Sequence, residues 1–190
     1  MNETEIKELV KSIYPEVQEV VLQNLVNSSN YIKQAKGTKL IRAGEKHPYF
    51  YLLVKGSIKT YYQKDSKQVC TWFAFENDIV ATLSSIVEGN PSSETIELLE
   101  DSEFIQFDTK LISQLAESNL SVSHFMAELI SDHATFLEER LYLLQFMSSK
   151  ERYDALIKRV PEVSQKISLT DIASYLGVSR ETVSRIRSNK

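Results

Sequence analysis

The residues best equipped for chemistry sit at the end of the chain. Between Ile167 and Arg187 the sequence places Ser179, Arg180, Glu181, Thr182, Ser184, Arg185 and Arg187 on the outward side of a predicted short helix. Arginine offers paired donors that match guanine O6 and N7, and glutamate accepts from cytosine N4. Ser179 and Thr182, at the start of that helix, suit phosphate oxygens together with free backbone N–H groups. The neighbouring residues say how such a helix would be held. Ser168-x-x-Asp171 opens an earlier helix that runs to Leu176, Gly177 supplies a left-handed end, and Ser179 is a good N-cap for the second helix. Ala173 is small where the two helices cross, and Ile172, Leu176, Val178, Val183 and Ile186 give an apolar interior. Two helices joined by a glycine turn, the second exposed and basic, form the helix-turn-helix pattern. A helical hairpin with a merely solvated basic face is the bland alternative. Turn, cap and apolar spacing all agree with the basic face, which favours double-stranded DNA as partner.

Elsewhere the chemistry is sparse. His47, His124 and His133 are scattered, and no His/Cys pair has zinc-site spacing, so no metal and no cofactor are expected. The lone Cys70 cannot form an internal disulfide and lies in an apparent strand beside Trp72, where a buried, inert thiol is the default. His133 shares a helix face with Met126 and Arg140, which points to a structural or solvated role. No Gly-x-Ser-x-Gly elbow and no Walker loop occur, and no catalytic residue is assigned: the chain reads as a non-enzyme.

Charge sharpens the DNA reading. The 190 residues carry a net charge of -4. From Lys150 to Lys190, however, nine Lys/Arg face five Asp/Glu, a surplus of +4 that leaves -8 for Met1–Ser149. An acidic body with a basic end is the asymmetry expected when one end meets nucleic acid. With 42% hydrophobic and 25% charged residues the composition is that of a globular protein. No apolar run of membrane-spanning length appears, and the polar, acidic N-terminus lacks signal-peptide character. A cytoplasmic location without membrane contact is expected.

Three textures position the basic helix. Residues 3–28 repeat apolar side chains at helical spacing, interrupted by Pro15, which predicts two short helices. From Tyr31 to Phe107, short runs such as 50–54, 57–62, 69–73 and 104–107 alternate with turn residues, including Gly37, Gly44 and Gly56. Many short strands without parallel-crossover helices before Asp78 predict an antiparallel sandwich or roll. From Leu111 to Met147 helical periodicity returns. Leu120, Ala127, Ala134 and Leu141 recur every seven residues, as do Ile130, Leu137 and Leu144 with Ser123. A second row, Val122, Leu129, Phe136 and Leu143, repeats beside them. A single wide stripe buried in the chain's own core is one reading. We favour a homodimer seam built from Leu120, Ala127, Ile130, Ala134, Leu137, Leu141 and Leu144, because a small roll cannot easily cover both rows.

With these residues in view, the chain resembles the Crp/Fnr (catabolite-activator) family of transcription regulators over nearly its whole length. Lys36–Glu45 looks like the first turn of that family's cyclic-nucleotide-binding roll, Tyr51–Lys59 like the next strand pair, and Leu98–Glu103 like the strand leading out. The helix near 118–147 resembles the dimerisation helix, and Val178–Arg185 is very close to the recognition-helix motif. The resemblance implies an α+β fold: N-terminal helices and an antiparallel β-roll of jelly-roll type in residues 1–117, a long dimerisation helix in 118–147, and a C-terminal helix-turn-helix domain in 148–190. It implies Arg180, Glu181 and Arg185 as base-contacting residues, a partly palindromic operator, and RNA polymerase as a candidate partner.

Two departures qualify the match. Nucleotide-binding relatives carry Gly-Glu-Leu followed about ten residues later by Arg-Ser or Arg-Thr; here the segment reads Ala81-Thr82-Leu83, then Pro91-Ser92-Ser93-Glu94. A buried phosphate without an arginine lacks both charge and a two-pronged hydrogen bond, so cyclic AMP binding is expected to be weak or absent. Thr82, Leu83, Ser92 and Ser93 then either line a pocket for another, unidentified small-molecule effector or belong to a pocket filled by side chains. The chain also stops at Lys190, where many relatives continue, which implies a minimal DNA-binding unit or a short variant. The alternative classes are a ligand-binding or scaffold protein with a non-functional DNA-binding tail, and a cupin-like enzyme, disfavoured because only His47 lies in the roll.

Overall fold

The computed structural model describes residues 1–65, 67–83 and 90–188. The apolar periodicity around Pro15 forms two helices, α1 (Glu3–Ile13) and α2 (Glu19–Asn27). A capping box starts α1: Asn2 Oδ1 accepts from the Glu5 N–H at 3.0 Å, and Glu5 Oε2 accepts from the Asn2 N–H at 2.7 Å.

Among the described residues eight strands follow: β1 (Ser29–Gln34), β2 (Lys39–Ile41), β3 (Tyr49–Lys55), β4 (Ile58–Lys64), β5 (Lys67–Ala74), β6 (Ile79–Val80), β7 (Thr95–Leu98) and β8 (Ser102–Asp108). They build two four-stranded sheets in the orders β1-β8-β3-β6 and β2-β7-β4-β5. All recorded pairings are antiparallel, as the lack of crossover helices predicts. The sheets face each other across Ile41, Leu53, Ile58, Ile96, Leu98 and Phe104, all at most 1% exposed. Phe50, Leu52, Ile105 and Phe107 point from the first sheet into a second core, which they share with α1, α2 and the long helix. Both faces of that sheet are therefore covered, which explains the unbroken apolar run Phe50–Val54.

The helical period from Leu111 onward resolves into two helices rather than one: α3 (Thr109–Ser118) and α4 (Leu120–Phe146). Asn119 is the break. Its side chain accepts from the N–H groups of Ser121 at 3.0 Å and Val122 at 3.3 Å, restarting the helix in a new direction. At 27 residues α4 spans about 40 Å. The C-terminal helices are α5 (Ser149–Arg159), α6 (Val163–Lys166), α7 (Leu169–Leu176) and α8 (Arg180–Ser188).

Among the described residues of the roll, one turn places a glycine under steric compulsion. Gly56, between β3 and β4, has φ +115°, and a methyl group there would lie 2.8 Å from Ser102 Cβ and 3.0 Å from Ser102 Cα. Ser102 is itself buried, so it has nowhere to move. Gly37 has φ +79° but open space around it. Gly56→Ala is therefore expected to cost about 2–4 kcal/mol of stability, through strain and overlap together. Gly37→Ala should cost about 1–2 kcal/mol, from the backbone alone. Chemical denaturation of both variants checks the order; equal losses would show that the Ser102 contact is not what demands glycine.

Candidate nucleic-acid interface and sensor cavity

The last two helices are held at their ends as their sequence requires. Ser168 Oγ accepts from the Asp171 N–H at 3.0 Å to start α7. Gly177 ends α7 with φ +67°, and the Val178 N–H returns to the Ala173 carbonyl at 3.0 Å. Ser179 Oγ accepts from the Thr182 N–H at 3.2 Å to start α8. Ile172, Ala173, Leu176 and Val183 are buried between the helices and are joined by Tyr153, Leu156, Val163 and Ile167 from α5, α6 and the segment after α6.

This core fixes which side of α8 faces outward. Ser179, Arg180, Glu181, Ser184, Arg185 and Arg187 are exposed, while Thr182 is half-buried. The Ser179 and Thr182 hydroxyls pair with each other at 3.1 Å, so part of their hydrogen-bonding capacity goes to the cap. Among the described residues, Arg180, Arg185 and Arg187 form no ion pair. Three exposed cations on one helix, without ion pairs, are what phosphate and base-edge contacts need.

The helix-turn-helix does not stand apart from the roll. The face of α7 opposite α8 lies on β5, an edge strand whose outer backbone groups would otherwise be open. Ser174 Oγ accepts from the Cys70 N–H at 2.9 Å and donates to the Gln68 carbonyl at 3.0 Å. Lys59, 10% exposed, pairs with Asp171 at 3.1 Å, and the rings of Phe73 and Tyr175 meet at 5.2 Å. Sequence reading assigned Asp171 only to a helix start. Its partner lies 112 residues earlier, and no local spacing signals it.

The two rows of α4 face different surroundings. Val122 is buried, and Leu129, Phe136 and Leu143 are partly covered by their own chain. Leu120, Ala127, Ile130, Ala134, Leu137, Leu141 and Leu144 are all exposed, Leu120 to 70% and Leu141 to 55%. Tyr142 and Phe146, which the heptad reading left out, are exposed as well.

Three of the four predicted effector residues share a cavity. Thr82, Leu83 and Ser93 line a space of about 500 Å³ with Trp72, His133 and Arg140. Ser92 does not line it. Its hydroxyl donates to the Glu94 carbonyl at 2.8 Å and its N–H to the Glu45 carbonyl at 2.9 Å, so Ser92 serves the turn. Residues 84–89, between the two halves of the cassette, lie outside the described residues. Glu94 lines the same cavity; its carboxyl is pushed above the usual range by burial and accepts from Thr71 Oγ1 at 2.9 Å.

The histidines and the cysteine occupy quiet positions. His47 Nε2 lies 2.6 Å from the Tyr51 hydroxyl, and burial lowers both His47 and His133 below the ordinary histidine pKa. Among the described residues no group of His, Cys, Asp and Glu is arranged to hold a metal, and no helix is long and apolar enough to cross a membrane.

A double β-sheet roll, a long helix with an open apolar face and an outward basic helix define a DNA-binding transcription regulator. Two family models match in tandem: the cyclic nucleotide-binding domain over residues 32–119, and the bacterial regulatory proteins of the crp family over residues 166–186. The chain is 25% identical over 165 residues to the cAMP-activated global transcriptional regulator CRP of Pasteurella multocida, covering 81% of this chain and 79% of that protein. Its fold matches FixK2 from Bradyrhizobium japonicum with a TM-score of 0.75 at 19% identity, over 85% of this chain and 83% of the other. It also matches a putative regulator of the crp/fnr family from Eubacterium rectale with a TM-score of 0.71 at 17% identity, over 92% and 83%. Taken together these matches support a transcription regulator of the Crp/Fnr type, and the matched models and relatives are those of regulators, not enzymes.

Burial and the nearby Asp171 carboxylate raise the Cys70 thiol to about 12. The reactive thiolate is then scarce at neutral pH. Cys70 should stay unlabelled by an aromatic disulfide reagent in native buffer and react once per chain in denaturant. Rapid labelling of the folded protein would restore a redox role.

Proposed function

We propose that the protein acts as a homodimer that binds a partly palindromic operator, with one α8 per subunit in the major groove. The division of labour follows the chain: 1–117 as a sensor domain, 118–147 as the dimerisation segment, and 148–190 as the DNA-binding domain. Arg180, Glu181 and Arg185 read base edges. Ser179, Thr182, Ser184 and Arg187 hold the backbone. The exposed, unpaired arginines on the capped helix α8 carry this reading.

Dimerisation rests on the exposed row of α4. A continuous apolar stripe open to water on a helix of 27 residues is stabilised by pairing with its own copy, because each buried Leu or Ile contributes about 1.5–3 kcal/mol. A two-fold axis then sets two half-sites about 34 Å, or a multiple of it, apart. The location is the cytoplasm, with RNA polymerase as the further partner where the protein activates.

The roll cavity takes an effector other than cyclic AMP. The position where the family cassette carries an arginine holds Ser92, which is bound into its turn, and Glu94 beside it brings a partly buried carboxyl; the cation that lines this cavity, Arg140, comes from α4 instead. A phosphate beside an ionised Glu94 meets like charge in low dielectric. The hydroxyl-bearing Thr82 and Ser93 suit a neutral polar ligand.

Selection from a random duplex pool should return paired half-sites. Arg180→Ala and Arg185→Ala should each weaken binding to the selected site by about 1–3 kcal/mol, roughly 5- to 150-fold, with the dimer intact. Leu137→Glu should yield monomers by light scattering and abolish operator binding. Wild-type affinity in both arginine variants would sink the assignment of α8. Titration calorimetry with cyclic AMP should show no saturable heat at micromolar concentrations; micromolar binding would overturn the reading of the roll cavity.

A further inference from the structure

Three arginines gather where the long helix meets the C-terminal domain. Arg140 comes from α4, Arg152 and Arg159 from the two ends of α5, and all three line one cavity of about 480 Å³. Its remaining wall is largely apolar, with Phe136, Leu143, Leu156 and Tyr175. Arg152 and Leu156 do not line the roll cavity, so the two spaces are separate although Phe136, Arg140 and Tyr175 border both.

The guanidinium groups are held without an ion-pair partner, although Arg159 acts on the Asp78 carboxylate from a longer distance. Arg140 stacks over the Tyr175 ring at 3.8 Å and donates to the Tyr175 carbonyl. Arg159 stacks over Phe136 at 4.7 Å. Stacking fixes the plane of a guanidinium while leaving its donors at the edge free. Among the described residues none of the three has a carboxylate within ion-pair distance, and Arg152 Nε is buried without a hydrogen-bond partner. Burial lowers the Arg140 pKa, and the positive charge of Arg152 lowers it further. Glu138 and Glu139 also border the cavity but are exposed, where water screens them. Two half-buried arginines, Arg140 and Arg152, beside an exposed third and with an unused donor, are unfavourable by themselves and are relieved by an anion that brings acceptor oxygens.

We propose that this junction cavity is a binding site for a small aromatic oxyanion, its carboxylate or phosphate head on Arg140, Arg152 and Arg159 and its flat apolar body between Phe136, Leu143 and Tyr175. The chemistry asks for both parts. Three arginines recognise the head, and the aromatic and aliphatic wall excludes a bare hydrated ion. Because α4 forms one wall and α5 and α7 the other, an occupant fixes the angle between the long helix and the domain that carries α8. The site stands or falls independently of how α8 reads DNA.

Titration calorimetry of the full chain with phenyl phosphate, benzoate, phenol and inorganic phosphate tests this. Phenyl phosphate or benzoate should bind saturably at one site per chain, at least about tenfold (~1.4 kcal/mol) more tightly than phenol or inorganic phosphate. The two heads distinguish a phosphate ligand from a carboxylate one. Arg152→Gln and Arg159→Gln should each weaken binding by about tenfold or more, and Thr71→Val, in the wall of the roll cavity alone, should leave it unchanged. Arg159 is exposed, so its variant keeps the test open if Arg152→Gln impairs folding. No saturable binding by either aromatic anion up to about 10 mM, full affinity in the folded arginine variants, or equal loss in Thr71→Val would overturn the proposal.

Discussion

The contact between α7 and strand β5 organises the rest of the molecule. An edge strand carries unpaired N–H and C=O groups that need partners. Here Ser174 satisfies both the Cys70 N–H and the Gln68 carbonyl with one hydroxyl. The Lys59–Asp171 pair lies beside it, largely shielded from water, where its separation would leave a poorly solvated charge on each side. Phe73, Cys70 and Tyr175 fill the intervening space, so the roll and the helix-turn-helix share one apolar core. The direction in which α8 points is thus set by the second sheet of the roll. This arrangement also explains a buried lysine as the second residue of β4, which strand patterning alone would count against.

The long helix resolves a conflict that a small roll cannot. One apolar row of α4 rests on α2, the first sheet and the aromatic side chains near Trp72; the other row stays exposed among the described residues. Covering both would take a larger body than eight short strands and two N-terminal helices provide. The same helix borders the roll cavity through His133 and the junction cavity through Leu143, and both spaces meet at Phe136 and Arg140. Whatever fills either cavity presses on the element that also presents the open seam. A shift in α4 would be felt at α7 through the Arg140–Tyr175 contact, since interfaces packed this closely change by discrete steps.

Much of this was legible in the residues. Pro15, the strand runs and the cassette from Ser168 to Arg187 encode local structure, because caps, turns and apolar periods act over a few residues. The outward placement of Arg180, Arg185 and Arg187 follows from Val183 and Ile186 facing in. The two rows of α4 were visible as heptads, and the expected long helix over 118–147 lies within two residues of the observed Leu120–Phe146; the Asn119 cap that restarts it was not read. Ser92 was misplaced because matching a cassette by position does not reveal that a hydroxyl is already used in its own turn.

Sequence alone settled the kinds of element, their order, the basic side of α8 and the absence of an arginine from residues 81–94, since each depends on neighbours in the chain. Tertiary structure alone decided the partners of Lys59 and Ser174, the gathering of Arg140, Arg152 and Arg159, and which apolar row of α4 stays open. Those contacts join residues many tens of positions apart. No local period specifies them, and only the packing of a completed roll against a completed helical domain brings them within reach.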